Sequence, residues 1–497
     1  MIPLSLAEIA EVVGGRLHNT DGTPVVTGTV EFDSRKVGAG GLFVAVPGER
    51  VDGHDFAAAA VAAGAVGVLA AREVDAPAVV VPRVAAAQGR SYVLAGDTDG
   101  SGAAVLAALA RLARHVVDRL TPAGLSVVGV TGSSGKTSTK DLIAQLLSPL
   151  GPTVAPPGSF NNELGHPWTV LRADERTRHL VLELSARDTG HIAQLCRVAP
   201  PRIGVVLNVG SAHLGEFGSR EAIAQAKGEL VEALPAAADG GVAVLNADDP
   251  LVSAMADRTT ARAVRFGQSP HADVRAEDVA VDERGRPTFH LVTASGSALV
   301  RLAVHGEHQV GNALAAAAVA LELGADLDRV VQGLEQARSV SRWRMEVTER
   351  PDGVIVVNDA YNANPESMRA ALKTLVAMAR GRRSWAVLGE MAELGANSAA
   401  AHDEIGRLAV RLDVSRLVVV GERARPMHQG AHLEGSWGEE SVLVPDVDAA
   451  VALLRAELRP GDVVLVKASR AAGLERVAQA LLDGIGAEGA GNAGGAR

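Results

Sequence analysis

The chain has 497 residues, of which 47% are hydrophobic, 21% are charged and only 3% are aromatic. At about 150 residues per domain, this length predicts roughly three domains with aliphatic cores. The formal net charge of −10 argues against a nucleic-acid partner, and the single cysteine, Cys196, excludes an internal disulfide framework and fits a reducing compartment.

The first region, residues 1–122, interleaves short strand-like segments with alanine-rich helices. Ser5 and Glu8 have the spacing of a capping box, so the N-terminus predicts an amphipathic helix rather than a signal peptide. The strand-like segments lie at 25–34, 41–48, 66–71 and 78–82. The pattern predicts an α/β domain.

The most apolar stretch of the chain, residues 56–71, is shorter than the ~20 residues that a membrane helix requires. Its internal glycines, Gly64 and Gly67, predict a helix, a turn and then a buried strand. We therefore expect no membrane span.

Two further regions follow, at 123–339 and 340–485, and both alternate apolar runs with helical patterns. Short runs of Val, Ile and Leu separated by helices are typical of strands buried on both faces of a parallel sheet. The runs lie at 125–130, 179–185, 202–210 and 241–250, and then at 353–361, 384–391, 416–422 and 462–469. The last residues, 486–497, have no apolar face and predict a disordered tail.

A glycine-rich loop joins the first strand of the second region to a helix. The usual P-loop pattern requires a glycine where this chain has Val130, yet strand, loop, G-K-T and helix are all present. Free N–H groups and the helix dipole favour an anion at this helix start, and Lys136 and Thr137 suit phosphates and Mg²⁺. The loop is therefore predicted to bind ATP through Thr131, Gly132, Ser133, Ser134, Gly135, Lys136 and Thr137.

Several segments of the second region together resemble the central domain of the Mur ligases, which are ATP-dependent amide-forming enzymes of bacterial peptidoglycan precursor synthesis. These segments are TGSSGKTSTKD, GSFNNELGHPWTVL, VLELSARDTGHI, LNVGSAHLGEFGS and AKGEL. FDSRKVGAGGLFVAVPGERVDGHDF in the first region and NDAYNANPESMRAAL in the third resemble the branch of the family that adds a terminal dipeptide. The resemblance covers about residues 6–481.

The resemblance implies an α/β fold of three domains. They are an N-terminal α/β UDP-sugar-binding domain, a central P-loop-type ATPase domain with a parallel sheet, and a C-terminal Rossmann-like domain. We expect their borders near residues 122 and 339.

The resemblance also implies metal-binding residues around the loop. Glu183, at the end of a strand, corresponds to a Mg²⁺ ligand, and His213, in the N-x-x-x-x-H segment that begins at Asn208, corresponds to a second one. Lys227 corresponds to a lysine that CO₂ carbamylates into an anionic ligand. Without the resemblance, the amphipathic helix that contains Lys227 predicts only a solvated side chain there. For Glu163 two roles stay open, that of a helix cap and that of a residue lining the phosphate site.

Residues of the second and third regions are implied around the nucleotide. Asn312 is expected near the adenine, Asp359 at the ribose hydroxyls and Arg344 at the γ-phosphate, with Arg342 as the alternative arginine. Together with Lys136, Lys227 and His213, Arg344 is expected to be catalytic.

The substrate-binding residues implied by the resemblance fall into two groups. In the first region, Ser34 and Arg35 suit a pyrophosphate and Gly53 and His54 are expected near the uracil end of a UDP-sugar. In the third region, the expected contacts to the amine substrate are Tyr361, Asn362, Asn364, Lys467, Ser469 and Arg470. The chain departs from many family members at Asn358, Ala360 and Ala468, where they have Asp, Ser and Gly.

The implied reaction joins D-alanyl-D-alanine to UDP-N-acetylmuramoyl-tripeptide through an acyl phosphate, with ATP and Mg²⁺, in a monomeric cytoplasmic enzyme. Since the key groups lie in separate regions, we expect the third domain to close over the ATP site and exclude water. Two alternatives remain, another amino-acid-adding ligase of the family and a non-catalytic P-loop switch. The third residue of the acceptor peptide stays open.

Overall fold

Three α/β units follow one another along the chain. The computed structural model describes residues 1–48, 51–84, 93–94, 97–211, 214–435, 438 and 440–483. The described strands form a two-stranded sheet and larger sheets of five, nine and six strands, which confirms the predicted three-domain α/β fold. The proposed borders at 122 and 339 fall between the large sheets, and the predicted tail at 486–497 lies outside the described residues.

The N-terminal unit contains a five-stranded sheet in the order β2-β7-β6-β5-β4 and an antiparallel pair, β1 and β3. Its strands are β1 (Leu4–Ser5), β2 (Arg16–His18), β3 (Val25–Val26), β4 (Val30–Glu31), β5 (Gly41–Val44), β6 (Ala65–Ala70) and β7 (Ala78–Val80). Its helices are α1 (Leu6–Val13), α2 (Ala57–Ala62) and α3 (Ser101–Leu120). The predicted capping box is confirmed, since Glu8 N donates to Ser5 Oγ over 3.2 Å and Ser5 N donates to Glu8 Oε2 over 2.7 Å.

The central unit is built on the nine-stranded sheet, in the order β16-β15-β14-β13-β12-β11-β8-β10-β9. Its strands are β8 (Ser126–Thr131), β9 (Thr153–Val154), β10 (His179–Glu183), β11 (Ile203–Val206), β12 (Val242–Asn246), β13 (Arg262–Gly267), β14 (Val274–Val281), β15 (Pro287–Thr293) and β16 (Gly296–Arg301). Its helices are α4 (Lys136–Leu147), α5 (Gly165–Val170), α6 (His191–Val198), α7 (Leu214–Phe217), α8 (Arg220–Glu232), α9 (Pro250–Ser253), α10 (Gln309–Glu322) and α11 (Leu327–Gln336).

The central sheet is parallel from β8 to β14, as predicted, but β14, β15 and β16 pair antiparallel at one end. The predicted strands β8, β10 and β11 are buried along their whole length. The antiparallel strands mix buried and exposed residues, so they lack the continuous apolar run that marks a doubly covered strand.

The C-terminal unit contains the six-stranded sheet, in the order β17-β18-β22-β19-β20-β21, which is parallel except for β17. Its strands are β17 (Glu346–Glu349), β18 (Ile355–Asn358), β19 (Ser384–Leu388), β20 (Arg416–Val420), β21 (Ser441–Val444) and β22 (Val463–Lys467). Its helices are α12 (Pro365–Ala379), α13 (Ser398–Arg411), α14 (Arg425–Glu434), α15 (Val447–Glu457) and α16 (Glu475–Leu482). Short 3-10 helices lie at Gly53–Phe56, Thr121–Ala123, Ala237–Asp239, Ala254–Arg258, Gly395–Asn397, Glu422–Ala424 and Arg470–Ala472.

The hydrophobic cores are distributed unevenly among the three units. One cluster joins the N-terminal and central units, since Leu109 of α3 belongs to the same buried group as Leu182 of β10. Trp168 adds a hydrogen bond between these units, from its Nε1 to the carbonyl of Val30 over 2.8 Å. The C-terminal unit has two clusters of its own, which the other units do not share. Among the described residues, none of the helices combines the length and apolarity needed to cross a membrane.

Candidate active site

The glycine-rich loop lies between the end of β8 and the start of α4, as predicted. Gly135 has a φ of +80°, and a Cβ there would lie 2.6 Å from Asn312 Oδ1. A Cβ at Gly132 would lie 2.9 Å from the Cβ of Leu207. Both glycines are therefore needed where the loop packs against its neighbours, whereas Val130 lies earlier, inside the buried strand β8.

The loop is held in place by hydrogen bonds from neighbouring segments. Asn208 accepts from Ser133 N at its carbonyl (3.1 Å) and from Ser134 N at its Oδ1 (2.9 Å). Thr131 Oγ1 donates to the carbonyl of Leu184 over 2.9 Å. These bonds fix the conformation of the loop and so the position of the helix start, where free N–H groups would meet a phosphate.

Lys136 bends back over the loop, with its Nζ 2.7 Å from the carbonyl of Gly132. Burial lowers the pKa of its ammonium group; the nearby carboxylate of Glu183 opposes this shift, and Arg344 adds to it. An anion placed between Lys136 and Arg344 would remove the mutual repulsion of these two cations.

Thr137, Glu183 and Asn161 form a buried polar cluster beside the loop. Thr137 Oγ1 donates to Glu183 Oε2 over 3.0 Å, and Asn161 Nδ2 donates to Glu183 Oε1 over 2.8 Å. Glu183 is only 1% exposed, and Ser159 Oγ lies 2.6 Å from the Thr137 hydroxyl. Ser159 and Asn161 were not predicted as site residues, although both lie in the GSFNN segment that carried the resemblance.

A carboxylate beside a loop threonine suits Mg²⁺, which takes few protein ligands and completes its shell with phosphates and water. Across the part of the chain that the structure describes, no group of three or more His, Cys, Asp or Glu side chains is placed so that it could hold a metal ion. The second predicted metal ligand, His213, lies outside the described residues.

Arg344 brings the C-terminal side of the molecule to this cluster. Its Nη2 donates to Thr137 Oγ1 over 3.1 Å and to Ser159 Oγ over 3.0 Å. Its guanidinium carbon lies 4.2 Å from the ring centroid of Tyr361, a cation–π distance. Arg342, the alternative, is exposed, so Arg344 is the arginine of the pair that reaches the loop.

Lys227 lies on α8 and is 4% exposed, unlike the solvated lysine that its helix pattern alone predicts. Within the described ranges it makes neither a hydrogen bond nor an ion pair. Burial holds its pKa well below the ordinary value of 10.5, and the positive charge of Lys136 lowers it further. The site therefore shifts the equilibrium of this side chain towards the neutral amine.

An interdomain cavity of about 510 Å³ lies next to the loop, between the central and C-terminal units. Among its lining residues are Gly135, Thr137, Asn208, Asn312, Arg344, Asp359, Glu366 and Lys467. Asn312 accepts from Thr139 Oγ1 over 3.1 Å and donates to Gln309 Oε1 over 2.9 Å, so its amide is fixed beneath the loop.

Asp359 and Lys467 form a buried ion pair at the wall of this cavity. Lys467 Nζ donates to Asp359 Oδ2 over 2.6 Å and to the carbonyl of Asn362 over 2.8 Å, and Met345 N donates to Asp359 Oδ1 over 3.1 Å. Burial lowers the pKa of Lys467, an effect that Asp359 opposes. The structure thus places Lys467, expected at the amine substrate, beside the residue expected at the ribose.

Of the other third-domain residues, Asn364 contacts the loop and Ser469 bonds within its own domain. Asn364 caps α12 by accepting from Ser367 N over 2.9 Å, and its Nδ2 donates to the carbonyl of Ser133 over 3.3 Å. Ser469 Oγ accepts from Ala392 N over 2.9 Å, inside its own domain.

The side chains of Asn362 and Arg470 contact residues of the third domain. The Asn362 side chain accepts from Ala363 N over 2.9 Å. Arg470 pairs with Glu475 over 2.6 Å and stacks 4.3 Å from the ring centroid of Trp343. The roles predicted for these residues stay predictions.

A second cavity, of about 820 Å³, lies in the N-terminal unit and is lined mainly by apolar side chains. Ser34, Arg35 and Gly53 line it, and Arg35 is paired with Asp33 but highly exposed. His54 does not line it. Its Nδ1 lies 2.6 Å from Asp52 Oδ1 and its Nε2 accepts from Ala71 N over 3.0 Å, so its buried ring serves the domain's own packing.

Three family descriptions match the chain in succession. They are "Mur ligase family, catalytic domain" at residues 28–115, "Mur ligase middle domain" at 130–320, and "Mur ligase, glutamate ligase domain" at 343–470.

Relatives of nearly equal length carry one name, UDP-N-acetylmuramoyl-tripeptide–D-alanyl-D-alanine ligase. The Mycobacterium bovis relative is 61% identical over 97% of this chain and 98% of its own. The Escherichia coli relative is 34% identical over 97% of this chain and 99% of its own.

Solved structures agree with the sequence relatives. The chain is similar to MurF from Acinetobacter baumannii, with a TM-score of 0.81 and 30% identity over 97% of this chain and 99% of that one. It is also similar to the MurF ligase of Thermotoga maritima in complex with ADP, with a TM-score of 0.74 and 31% identity over 93% and 98%.

Proposed function

This chain belongs to the Mur ligase family, and on that premise we propose that it joins D-alanyl-D-alanine to UDP-N-acetylmuramoyl-tripeptide at the expense of ATP. The observation that carries the proposal is the junction of Arg344, Thr137 and Glu183, with Lys136 beside it. Phosphoryl transfer needs cations and oxygen ligands gathered around one phosphate, and here two domains supply them together.

The residues at the loop fit the Mg²⁺ that phosphoryl transfer requires. Thr137 and Glu183 would hold one ion, because their hydroxyl and carboxylate oxygens already lie 3.0 Å apart next to the phosphate loop. We propose His213 and Lys227 for a second ion, on the resemblance alone. When bound, Mg²⁺ neutralises charge on the phosphate oxygens.

The reaction starts when a carboxylate oxygen of the tripeptide attacks the γ-phosphorus of ATP. The bond from that phosphorus to the bridging oxygen breaks, ADP leaves, and an acyl phosphate forms. Lys136 would exchange its bond to the Gly132 carbonyl for the phosphoryl oxygens, and Arg344 would donate to them from the opposite domain. These contacts are strongest while charge spreads over the transferred group.

The amine of D-alanyl-D-alanine then attacks the acyl carbon, and the tetrahedral species loses a proton from its nitrogen and expels phosphate as the amide forms. Water competes with the amine for the acyl phosphate, so the site must be covered. Asn364 and Arg344 reach the loop from the C-terminal side and are the contacts through which we propose closure of the third domain.

Lys227 is proposed to carry a carbamate. Its neutral amine would attack CO₂, form an N–C bond and release one proton, which leaves an anionic carboxylate near Lys136. Support comes from its burial and its lowered pKa, because the neutral amine is the form that reacts with CO₂. A ¹³C NMR carbamate signal from ¹³CO₂-equilibrated protein, absent in Lys227→Met, is the expected result; no signal in the parent protein would reject the modification.

We propose that the N-terminal cavity takes the UDP end of the sugar substrate, with its apolar walls against the uracil ring and Arg35 near the pyrophosphate. Tyr361, Asn362 and Arg470 are proposed for the dipeptide side. We further propose a monomer that acts in the cytoplasm, where ATP and nucleotide-linked precursors are present.

ADP release and product mass test the proposed function. With ATP, Mg²⁺ and the UDP-linked tripeptide, addition of D-alanyl-D-alanine should give steady ADP release and a product heavier by one dipeptide less water. Equal turnover with single amino acids would indicate another ligase of the family. ADP release without any ligated product would indicate a nucleotide switch.

A further inference from the structure

The linker between α11 and β17 runs alongside the helix that follows the phosphate loop. Three residues of α4, Thr137, Asp141 and Gln145, are spaced four apart and therefore lie on one face of the helix. Each of them contacts a different linker residue, namely Arg344, Ser341 and Arg338 in turn. Helix and linker thus run in opposite directions, in contact at three successive helical turns.

The contact farthest from the phosphate loop is a reciprocal pair. Gln145 Oε1 accepts from Arg338 N over 3.0 Å, and Gln145 Nε2 donates to the carbonyl of Arg338 over 3.0 Å. The side-chain amide thus pairs with the linker backbone as a neighbouring strand would, which fixes the position of residue 338 along the helix.

The middle contact is buried. Asp141 Oδ2 accepts from Ser341 N over 3.1 Å, while its other oxygen receives the ammonium of Lys140. Lys140 also donates to the carbonyl of Pro156 over 2.8 Å, so the carboxylate is held from its far side. Asp141 can therefore hold the linker in a single position.

The third contact is the one at the phosphate loop. Arg344 lies between Trp343 and Met345, which both have a positive φ, 59° and 49°. This left-handed backbone is uncommon for such side chains and persists only where the surroundings impose it. Ser339 Oγ also donates to the carbonyl of Arg344 over 2.9 Å.

We propose that α4 sets the register of this linker, and that Gln145 and Asp141 are positioning residues that place Arg344 at the transferred phosphoryl group. Four helical residues advance about 6 Å, and three linker residues can span that distance in a bent chain, so the two spacings match. A linker released at 338 and 341 would contact α4 only through the hydrogen bond of Arg344 itself. The inference rests on the proposed ligase function.

Gln145 provides the cleaner test, because it lines neither of the two cavities described above and its contact with the linker lies near the surface. Gln145→Leu removes both hydrogen bonds at nearly constant volume. We expect kcat to fall about tenfold, the effect of about two lost hydrogen bonds, with an unchanged KM for the UDP-linked tripeptide. The matched control is Gln194→Leu, on the exposed face of α6, which should leave kcat unchanged.

A double-mutant cycle distinguishes positioning from a general loss of structure. In an Arg344→Lys background, which lacks the planar guanidinium, Gln145→Leu should cause little further loss of kcat, or of affinity for a non-hydrolysable ATP analogue where turnover is too slow. Equal losses in both backgrounds, or an unchanged kcat in the single variant, would overturn the inference. A parent protein that makes no amide product would instead reject the proposed function.

Discussion

Two lysines near the phosphate loop differ in what surrounds them. Lys136 donates to a backbone carbonyl and has a carboxylate nearby. For Lys227, burial is the main cause of the lowered pKa, and the positive charge of Lys136 is the second. A lysine whose pKa is lowered by folding binds fewer protons in the folded state than in the unfolded state. The free energy of unfolding therefore increases as pH rises towards 10.5, the pKa of the lysine in the unfolded chain. Lys227 thus costs stability at neutral pH.

Lys227→Met should therefore raise the free energy of unfolding in CO₂-free buffer at pH 7, and the gain should shrink as pH approaches 10.5. Methionine keeps the length of the side chain without a charge to desolvate. Denaturant unfolding at several pH values measures the gain, and turnover should be lost in the same variant. A stability loss at pH 7 would contradict the burial argument.

At the scale of elements, the start of α12 touches the segment that follows β11. Glu366 Oε1 accepts from Ser211 N over 2.8 Å, two residues before the predicted metal ligand His213. Its other carboxylate oxygen is buried and has no hydrogen-bond partner among the described residues. One accepted bond therefore links the C-terminal domain to the segment that leads to His213, the predicted metal ligand.

Glu366→Ala should lower kcat about tenfold, because a hydrogen bond to a charged acceptor contributes about 1.5 kcal/mol or more. Glu366→Gln keeps an acceptor oxygen for Ser211 N and should remain within about twofold of the parent protein. Steady-state ADP release compares the two. If both variants lose the same activity, the charge of Glu366 rather than its hydrogen bond is what matters.

Strands covered on both faces could be predicted from the sequence, and those with one exposed face could not. β8, β10 and β11 are continuous apolar runs, while β15 alternates and β14 contains an irregular register between Glu277 and Ala280. The same division holds at the site. The loop carries a local motif, but Ser159, Glu366 and Gln145 acquire their contacts only through distant segments, so their own surroundings in the sequence do not reveal those contacts.

At the scale of the whole molecule, the central and C-terminal domains meet closely away from the loop as well. A Cβ at Gly215, in α7, would lie 2.6 Å from the backbone nitrogen of Gly395. Backbone meets backbone here, so a side chain at this position would push the two domains apart. Arg344 would then move away from Thr137.

Gly215→Ala should lower turnover and increase the radius of gyration measured by small-angle scattering with nucleotide and UDP-linked tripeptide bound. Alanine is favoured over glycine in a helix by up to about 1 kcal/mol, so the free energy of unfolding should not fall. Gly353→Ala is the converse control. A Cβ at this position of the C-terminal domain would meet no atom closer than 3.6 Å, but φ is +82°, which strains an alanine. This variant should lose stability and keep the closed dimensions of the parent protein.

The shared apolar interior of the first two domains, set against the separate interior of the third, has a thermal consequence. Heating should melt the chain in two calorimetric steps, one for residues up to the linker and one for the remainder. Val340 is 63% exposed but lies between two linker residues that α4 holds, so a protease should cut there slowly and leave two fragments that survive as folded pieces. Neither piece alone would carry both Lys136 and Arg344, so the cut protein should bind nucleotide and yet make no amide.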